Sequence, residues 1–361
     1  MSLGTDASLA FAEGPRYAEL GTMDIEPFLI EPPVLMDLDD LDGEPGPYCM
    51  SFGFDLGPLT DSIRRFGLLN TPCVTKGAKG RVDIVTGYRR LLALKTLGRH
   101  RIPVRDLSRA GISCLDCLVL NLSDNLTTRD LNDVEKGMVL KRLSTFVQTK
   151  ELLARYMPLL ALPRNETFLE TYVRIEDLDH DIKTSLARRE LSLQTIKHLQ
   201  DMDQESRTAV FSWISNIKFN INQQRQFIDN LFDLSLVNGR PIGDLLGEKA
   251  LRAIRCDDRM NLPQKARRVI EHLRARRLPR LSRAEKGFRR AVNALRLPPG
   301  VRVSHPPYFE GSTYRLEVLF ETGHMLREKI TLLSQLKGLE NIGDPWQRNH
   351  GAPAGDIETP R

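Results

Sequence analysis

From Leu59 onward the spacing of apolar residues changes period several times, and each change marks an element. Leu59, Ile63 and Phe66 stand at helical spacing in "LTDSIRRFGLL", with Gly67 placed to stop the helix. Two β-branched runs follow, "TPCVT" and "VDIVT", and the intervening "KGAKGR" makes them a hairpin. A helix over 88–97 comes next, ended by Gly98, and "IPVRDL" reads as a further strand. After "AGISC" the period becomes helical. Asn132 and Glu135 form a capping box ahead of an apolar face of Val139, Leu143, Phe146 and Val147. Thr149 is placed to cap "KELLARYM", and Asn165 to cap "ETFLETYVRIEDL". Further helices are predicted over 181–189, 193–202 behind Ser192, 204–217 and 222–234 behind Asn220 or Asn222, then a basic helical stretch over 263–296. Alternation returns in "VRVS" and "YRLEVLF", before the amphipathic "TGHMLREKITLLSQL", whose stripe is Leu326, Ile330 and Leu333.

This pattern predicts an α+β multidomain chain. The expected divisions are an acidic arm over 1–48, an α/β domain over 49–145 and a helical domain over 146–235. A basic helical linker over 236–282, a small α+β unit over 283–338 and a tail over 339–361 complete it. A length of 361 residues suits two or three cores. No apolar run approaches the roughly 18 residues that would suggest a membrane span, and the first residues lack a secretory pattern, so the expected location is cytoplasmic, with no membrane partner. Cys114 and Cys117 make a lone CxxC; a structural zinc takes about four ligands, so the pair reads as core.

Charge is unevenly distributed. Residues 1–60 hold twelve acidic side chains against Arg16 alone, whereas 261–300 holds twelve Lys and Arg against Glu271 and Glu285. Such polarity points the back half toward a polyanion, or makes a solvated basic helix face. A more local feature is "VDIVTGYRRLLALKTLG". Glycine at a strand end allows close backbone approach, and a helix N-terminus offers free N–H groups to an anion. Two arginines there are unfavourable by a few tenths to about 1 kcal/mol unless a bound anion answers them. Arg89 and Arg90 therefore read as phosphate donors, or as two solvated side chains. Downstream, Asp124 and Asn125 in "SDN" suit a hard cation such as Mg²⁺, though both residue types also populate turns.

Together "SIRRFGLLNTP", "GYRRLLA" and "DNLTTRDLNDVE", followed by "ELSLQTIKHLQDM" and "INQQRQFIDNL", resemble in order and spacing the ParB family of partition proteins over roughly residues 55–235. The resemblance implies a ParB/sulfiredoxin-type N-terminal domain binding CTP with Mg²⁺, nucleotide-regulated clamping on DNA, a helix-turn-helix domain and a homodimer. It places Thr86, Gly87, Arg89, Arg90, Asn125 and Arg129 around the nucleotide. Asp124 and Asn125 fall near the metal, with Asp124 in the position linked to hydrolysis. Three positions depart from the family pattern: Tyr88 stands for Glu, Leu92 for a basic residue, and Thr127-Thr128 for Gln-Arg, with Arg129 one residue on.

The resemblance also implies a ParA-type ATPase partner, but the acidic arm lacks the basic residues that family members use to stimulate one. In the helix-turn-helix reading, Arg164, Asn165, Thr167, Thr171 and Arg174 face DNA, because a recognition helix reads bases mainly from its N-terminal residues. Glu166, Glu170, Glu176 and Asp177 work against that reading by repelling phosphates, and a purely structural helix pair is the alternative. Two other function classes stay open at this point: an enzyme of the same superfold, phosphotransferase or nuclease-like, and a transcriptional regulator without nucleotide control.

Overall fold

The computed structural model describes residues 31–41, 45–77, 80–311, 313–343 and 345–346. Most of the predicted arm and tail lie outside the described residues. The chain divides into two compact units, Met1–Phe211 and Ser212–Arg361. The division falls inside the helical segment predicted over 146–235.

In the first unit, β1 (Val34–Asp37), β2 (Cys73–Lys76), β3 (Val82–Thr86) and β4 (Arg101–Asp106) form one sheet in the order β1-β4-β2-β3. The predicted hairpin is β2–β3, antiparallel, with Lys76 opposite Val82. The chain then crosses over through α2 (Tyr88–Thr96), so β4 lies parallel to β2 while β1 pairs antiparallel on its far side. Ile63 from α1 (Gly57–Phe66) packs with Val74, Ile84, Leu91, Ala93, Leu94, Ile102 and Val104. Leu38 and Leu41 complete this core, so part of the predicted arm is bound into the sheet by apolar burial, worth about 1.5–3 kcal/mol for each leucine.

α3 (Cys114–Thr128) starts with a capping box between Ser113 and Asp116. Cys117 is buried but Cys114 is exposed, because it sits on the first turn facing outward; only one of the pair is core. The capping box predicted from Asn132 and Glu135 opens α4 (Asp133–Leu143). That helix stops at Leu143, so Phe146 lies beyond it and is half exposed, not part of the inward face.

Thr149 is the first residue of the next helix and not its cap: Gln148 holds that position without a side-chain bond. This helix, α5, runs through Thr149–Glu151, a π turn at Leu152–Tyr156 and Met157–Leu159. Pro158 has no N–H to offer the preceding turn, which suits the widened geometry there. α6 (Glu166–Val173) is capped by Asn165 as predicted and continues into a 3-10 turn, Arg174–Asp177. Tyr172 and Ile175 point inward, while Phe168, at helical spacing from both, is 42% exposed. α7 (His180–Ala187), α8 (Leu193–Gln200) and α9 (Gln204–Ile217) follow.

The second unit is built on α10 (Ile221–Asn238), α11 (Ile242–Leu246), α12 (Lys249–Arg255), α13 (Leu262–Arg277) and α14 (Pro279–Ala294). Phe227, Ile228 and Leu231 on α10 are buried, as are Val269 and Leu273 on α13. A two-stranded antiparallel sheet, β5 (Val301–Ser304) with β6 (Arg315–Val318), and α15 (Gly323–Gln335) follow. The core beside them holds Leu281, Ala284 and Phe309, with Phe288 stacked on Tyr314 and His305 on Phe309. Of the predicted α15 stripe, Leu333 is buried and Ile330 is 54% exposed. Among the described residues no helix is long and apolar enough to cross a membrane.

Candidate functional site

Gly87 ends β3 and starts α2 with φ of 89°. A Cβ there would lie 3.0 Å from Cα of Pro72, so both the dihedral and the space select glycine. No side chain caps α2, and its first N–H groups follow directly on the left-handed Gly87. Thr86, just before, is buried. The two arginines of α2 diverge from this point. Arg90 donates through Nη2 to Asp124 Oδ2 at 2.8 Å and through Nη1 to the Asn70 carbonyl at 2.9 Å. Arg89 turns to the opposite side, toward the N-terminus of α4.

There Glu135, which the sequence marks only as half of a capping box, has a larger part. Its carboxylate is buried, with the side chain 1% exposed, and collects four donors. Oε1 accepts from Arg89 Nη2 at 2.6 Å and from the Phe52 N–H at 3.1 Å. Oε2 accepts from Arg129 Nη1 at 2.6 Å and from the Asn132 N–H at 3.0 Å. A carboxylate offers about four lone-pair positions, so this one is filled. One negative charge thus answers two guanidiniums. Burial, and then the neighbouring Arg129, push Arg89 below its ordinary value, the expected result of two like charges sharing one partner.

The rest of the cluster fixes those guanidiniums in place. Arg89 Nε reaches Ser51 Oγ at 3.2 Å, and its guanidinium lies 4.4 Å from the ring centre of Phe54. Arg129 Nε donates to Asn125 Oδ1 at 2.9 Å, and its Nη2 to the Met50 carbonyl at 3.2 Å. The Asn125 amide in turn donates to Asn121 Oδ1 at 2.8 Å, and the buried Asn121 donates to the Val85 carbonyl. Tyr88 meets Phe54 edge-on, with ring centres 6.5 Å apart, and packs on the sheet core. It serves this region as a packing aromatic.

Of the sequence-derived residues, Thr86, Gly87, Arg89, Arg90, Asp124, Asn125 and Arg129 thus gather around one strand end. Ser51, Phe54, Asn121 and Glu135 complete the group. Glu135 had a signal in the sequence, since a capping-box acid a few residues after an arginine can serve both; Ser51 and Asn121 had none. For a metal, the donors available are few. Asn125 Oδ1 is taken by Arg129 and Asp124 by Arg90, and among the described residues no cluster of three His, Cys, Asp or Glu exists. Asp124, with its side chain 37% exposed, is the one carboxylate here that could turn to a cation, and Mg²⁺ often takes only one or two carboxylates beside phosphate oxygens and waters.

The residues predicted to face DNA lie elsewhere in the same unit. Arg164 and Thr167 are exposed. Asn165 accepts from the Phe168 N–H at 3.1 Å as the cap of α6, and the Thr171 hydroxyl donates back to the Thr167 carbonyl at 2.8 Å. Arg174 is engaged with Asp201 Oδ1 at 2.9 Å and the Gln200 carbonyl. α4 joins the two places. Its N-terminus carries Glu135, and its flank packs on α6 so closely that a Cβ at Gly137 would fall 2.7 Å from the Tyr172 carbonyl oxygen. The Tyr172 hydroxyl donates to Asp133 Oδ1 at 2.7 Å, and burial followed by that carboxylate raises the phenol well above its usual range.

No protein-family model and no curated protein matches the chain. Among solved structures, it is similar to the C-terminally truncated chromosome-partitioning protein ParB of Caulobacter crescentus complexed with CTP-gamma-S. The match has 21% identity and a TM-score of 0.24, covering 47% of this chain and 92% of that one. The same ParB complexed to the centromeric parS site matches at 19% identity and a TM-score of 0.30, covering 53% of this chain and 96% of that one. Likeness at this level assigns no role to any residue.

Proposed function

We propose that the first unit binds a nucleoside triphosphate at the Gly87–Arg90 strand end and couples its occupancy to DNA binding, as a ParB-like partition protein. The observation that carries this reading is the convergence of segments 50–54, 86–90 and 124–135 on one basic cluster. Among the described residues Arg89, Arg90 and Arg129 there pair only with Asp124 and Glu135, so a net positive charge stands at an uncapped helix N-terminus.

Phosphate would draw Arg90 from Asp124, and the freed carboxylate would be the group turned toward Mg²⁺ and, in a hydrolytic reading, toward the attacking water. Arg89 and Arg129 stay tied to Glu135 and supply field more than direct contact. CTP is the nucleotide the sequence resemblance suggests. Through α4 the same cluster reaches α6, whose exposed Arg164 and Thr167 are the candidates for touching DNA. Homodimerisation is assigned to the C-terminal part, where Leu316, Leu319, Phe320, Ile330 and Leu332 are all half exposed or more. Work at the nucleoid would follow from DNA binding, and a ParA-type ATPase is the partner least supported, given the acidic arm.

The test is the affinity of the full chain for DNA across a salt series, with and without each nucleoside triphosphate and Mg²⁺. Arg90→Ala is the informative variant, since Arg89 is bound into the buried network and Arg90 is not. The wild type should respond to one triphosphate and the variant should not. Equal DNA binding in all conditions for both proteins would sink the coupling, and no binding at low salt would sink the DNA reading too. A separate expectation concerns Arg164→Ala. Loss of a phosphate contact should weaken binding for all sequences alike and reduce the salt slope by about 1, whereas loss of a base contact should cost about 1–3 kcal/mol at one position only.

A further inference from the structure

The second unit holds a half-enclosed cavity of about 420 Å³ between α12, α13 and α14, well separated in sequence from the strand-end cluster. That volume lies within the range of small-ligand sites. Its lining includes Ala250 and Ile254 on α12, and Arg268, His272, Lys286 and Arg289 together with Glu271 and Glu285 on α13 and α14. The two carboxylates are already answered. Glu285 receives both arms of Arg274, at 2.9 and 2.6 Å, and Glu271 receives Arg267 Nε at 2.8 Å. Among the described residues Arg268, Lys286 and Arg289 have no carboxylate partner, so the wall presents uncompensated positive charge. His272 lies on the same wall, with its Nε2 buried and without a hydrogen-bond partner among the described residues.

We propose that this cavity is a phosphate-binding site, taking the phosphate groups of a small phosphorylated molecule or of a nucleic-acid backbone between Arg268, Lys286 and Arg289, beside the His272 ring. Guanidinium pairs match phosphate oxygens bidentately, and the lysine adds a point charge. Burial first, and then Arg276 and Arg268, hold His272 below its ordinary value, against the opposing pull of Glu248. A bound phosphate would reverse that balance and favour the imidazolium.

Inorganic pyrophosphate is the probe, added to the full chain while the His272 ring-proton resonance is followed by NMR and assigned by His272→Gln. Pyrophosphate should shift that resonance and raise the pH at which it titrates. Arg268→Ala combined with Arg289→Ala should weaken the response about a hundredfold or more, about tenfold for each lost charge-assisted contact. Arg90→Ala, at the other cluster, should leave the His272 response in place, so failure here is separable from failure of the nucleotide reading. A short DNA duplex provides the second arm. If it produces the same shift and competes with pyrophosphate, the phosphates are those of DNA; if only pyrophosphate does, the ligand is a small molecule. An unmoved His272 resonance, or a double variant that responds like the wild type, overturns the site.

Discussion

Glu135→Ala is expected to destabilise the first unit by about 3–5 kcal/mol, the range seen when one member of a buried ion pair is removed. The magnitude follows from what is left behind. Arg89 and Arg129, with side chains 25% and 19% exposed, would face each other without the carboxylate that both contact at 2.6 Å. The Phe52 and Asn132 N–H groups would lose their acceptor as well, and with the latter goes half of the capping box that starts α4. Glu135→Gln should recover little, because its amide NH₂ would point at donors where the wild type offers only acceptors. Hydrogen exchange read by mass spectrometry locates the effect. Peptides covering 48–54, 86–97 and 124–143 should lose protection together, and unchanged exchange in these peptides would show that the carboxylate is dispensable.

The second large effect is at Gly137, and it has an internal control. Alanine in a helix interior is favoured over glycine by about 1 kcal/mol, so Gly→Ala would ordinarily stabilise a helix. At Gly137 the new Cβ would stand 2.7 Å from the Tyr172 carbonyl and 3.2 Å from Ile175 Cβ, and a backbone atom cannot rotate aside. α4 and α6 must separate, and overpacking of this kind costs about 1–3 kcal/mol, which outweighs the propensity gain. Gly287 lies in α14, where an added methyl would meet nothing within 4 Å, so Gly287→Ala should stabilise by up to about 1 kcal/mol. Opposite signs for one chemical change are the expected result. Exchange of peptides from 133–143 and 166–177 reports the first, and thermal unfolding by tryptophan fluorescence reports the second, since Trp213 and Trp346 both lie in the second unit. If Gly137→Ala proved as stable as the wild type, α4 and α6 would not be held as one body. The route from the strand-end cluster to Arg164 would then lose its physical basis.

Local periodicity and capping chemistry made much of the fold legible in advance. The β2–β3 hairpin, the Gly87 handover into α2, and the caps Asn132, Asn165, Ser192 and Asn220 are short-range features, decided within a few residues. The positions where periodicity misleads have two causes. Phe146 lies past the end of α4 and Cys114 on the outward first turn of α3, whereas Phe168 and Ile330 keep the right period and are left 42% and 54% exposed by the tertiary packing.

The same division runs through the site. Sequence alone gave Gly87, Arg89 and Arg90 phosphate-directed chemistry and Asp124 and Asn125 that of a cation site, and the resemblance set Arg129 beside them. Only the tertiary structure sorted the arginines, sending Arg90 to Asp124 and Arg89 to a buried Glu135 shared with Arg129. It also decided that Tyr88 packs against Phe54 and the sheet core. The reason is that backbone propensity and helix capping act over one turn of chain. Charge pairing and burial depend instead on which segments meet, and residues 51, 89, 129 and 135 meet only once the sheet and α4 are in place.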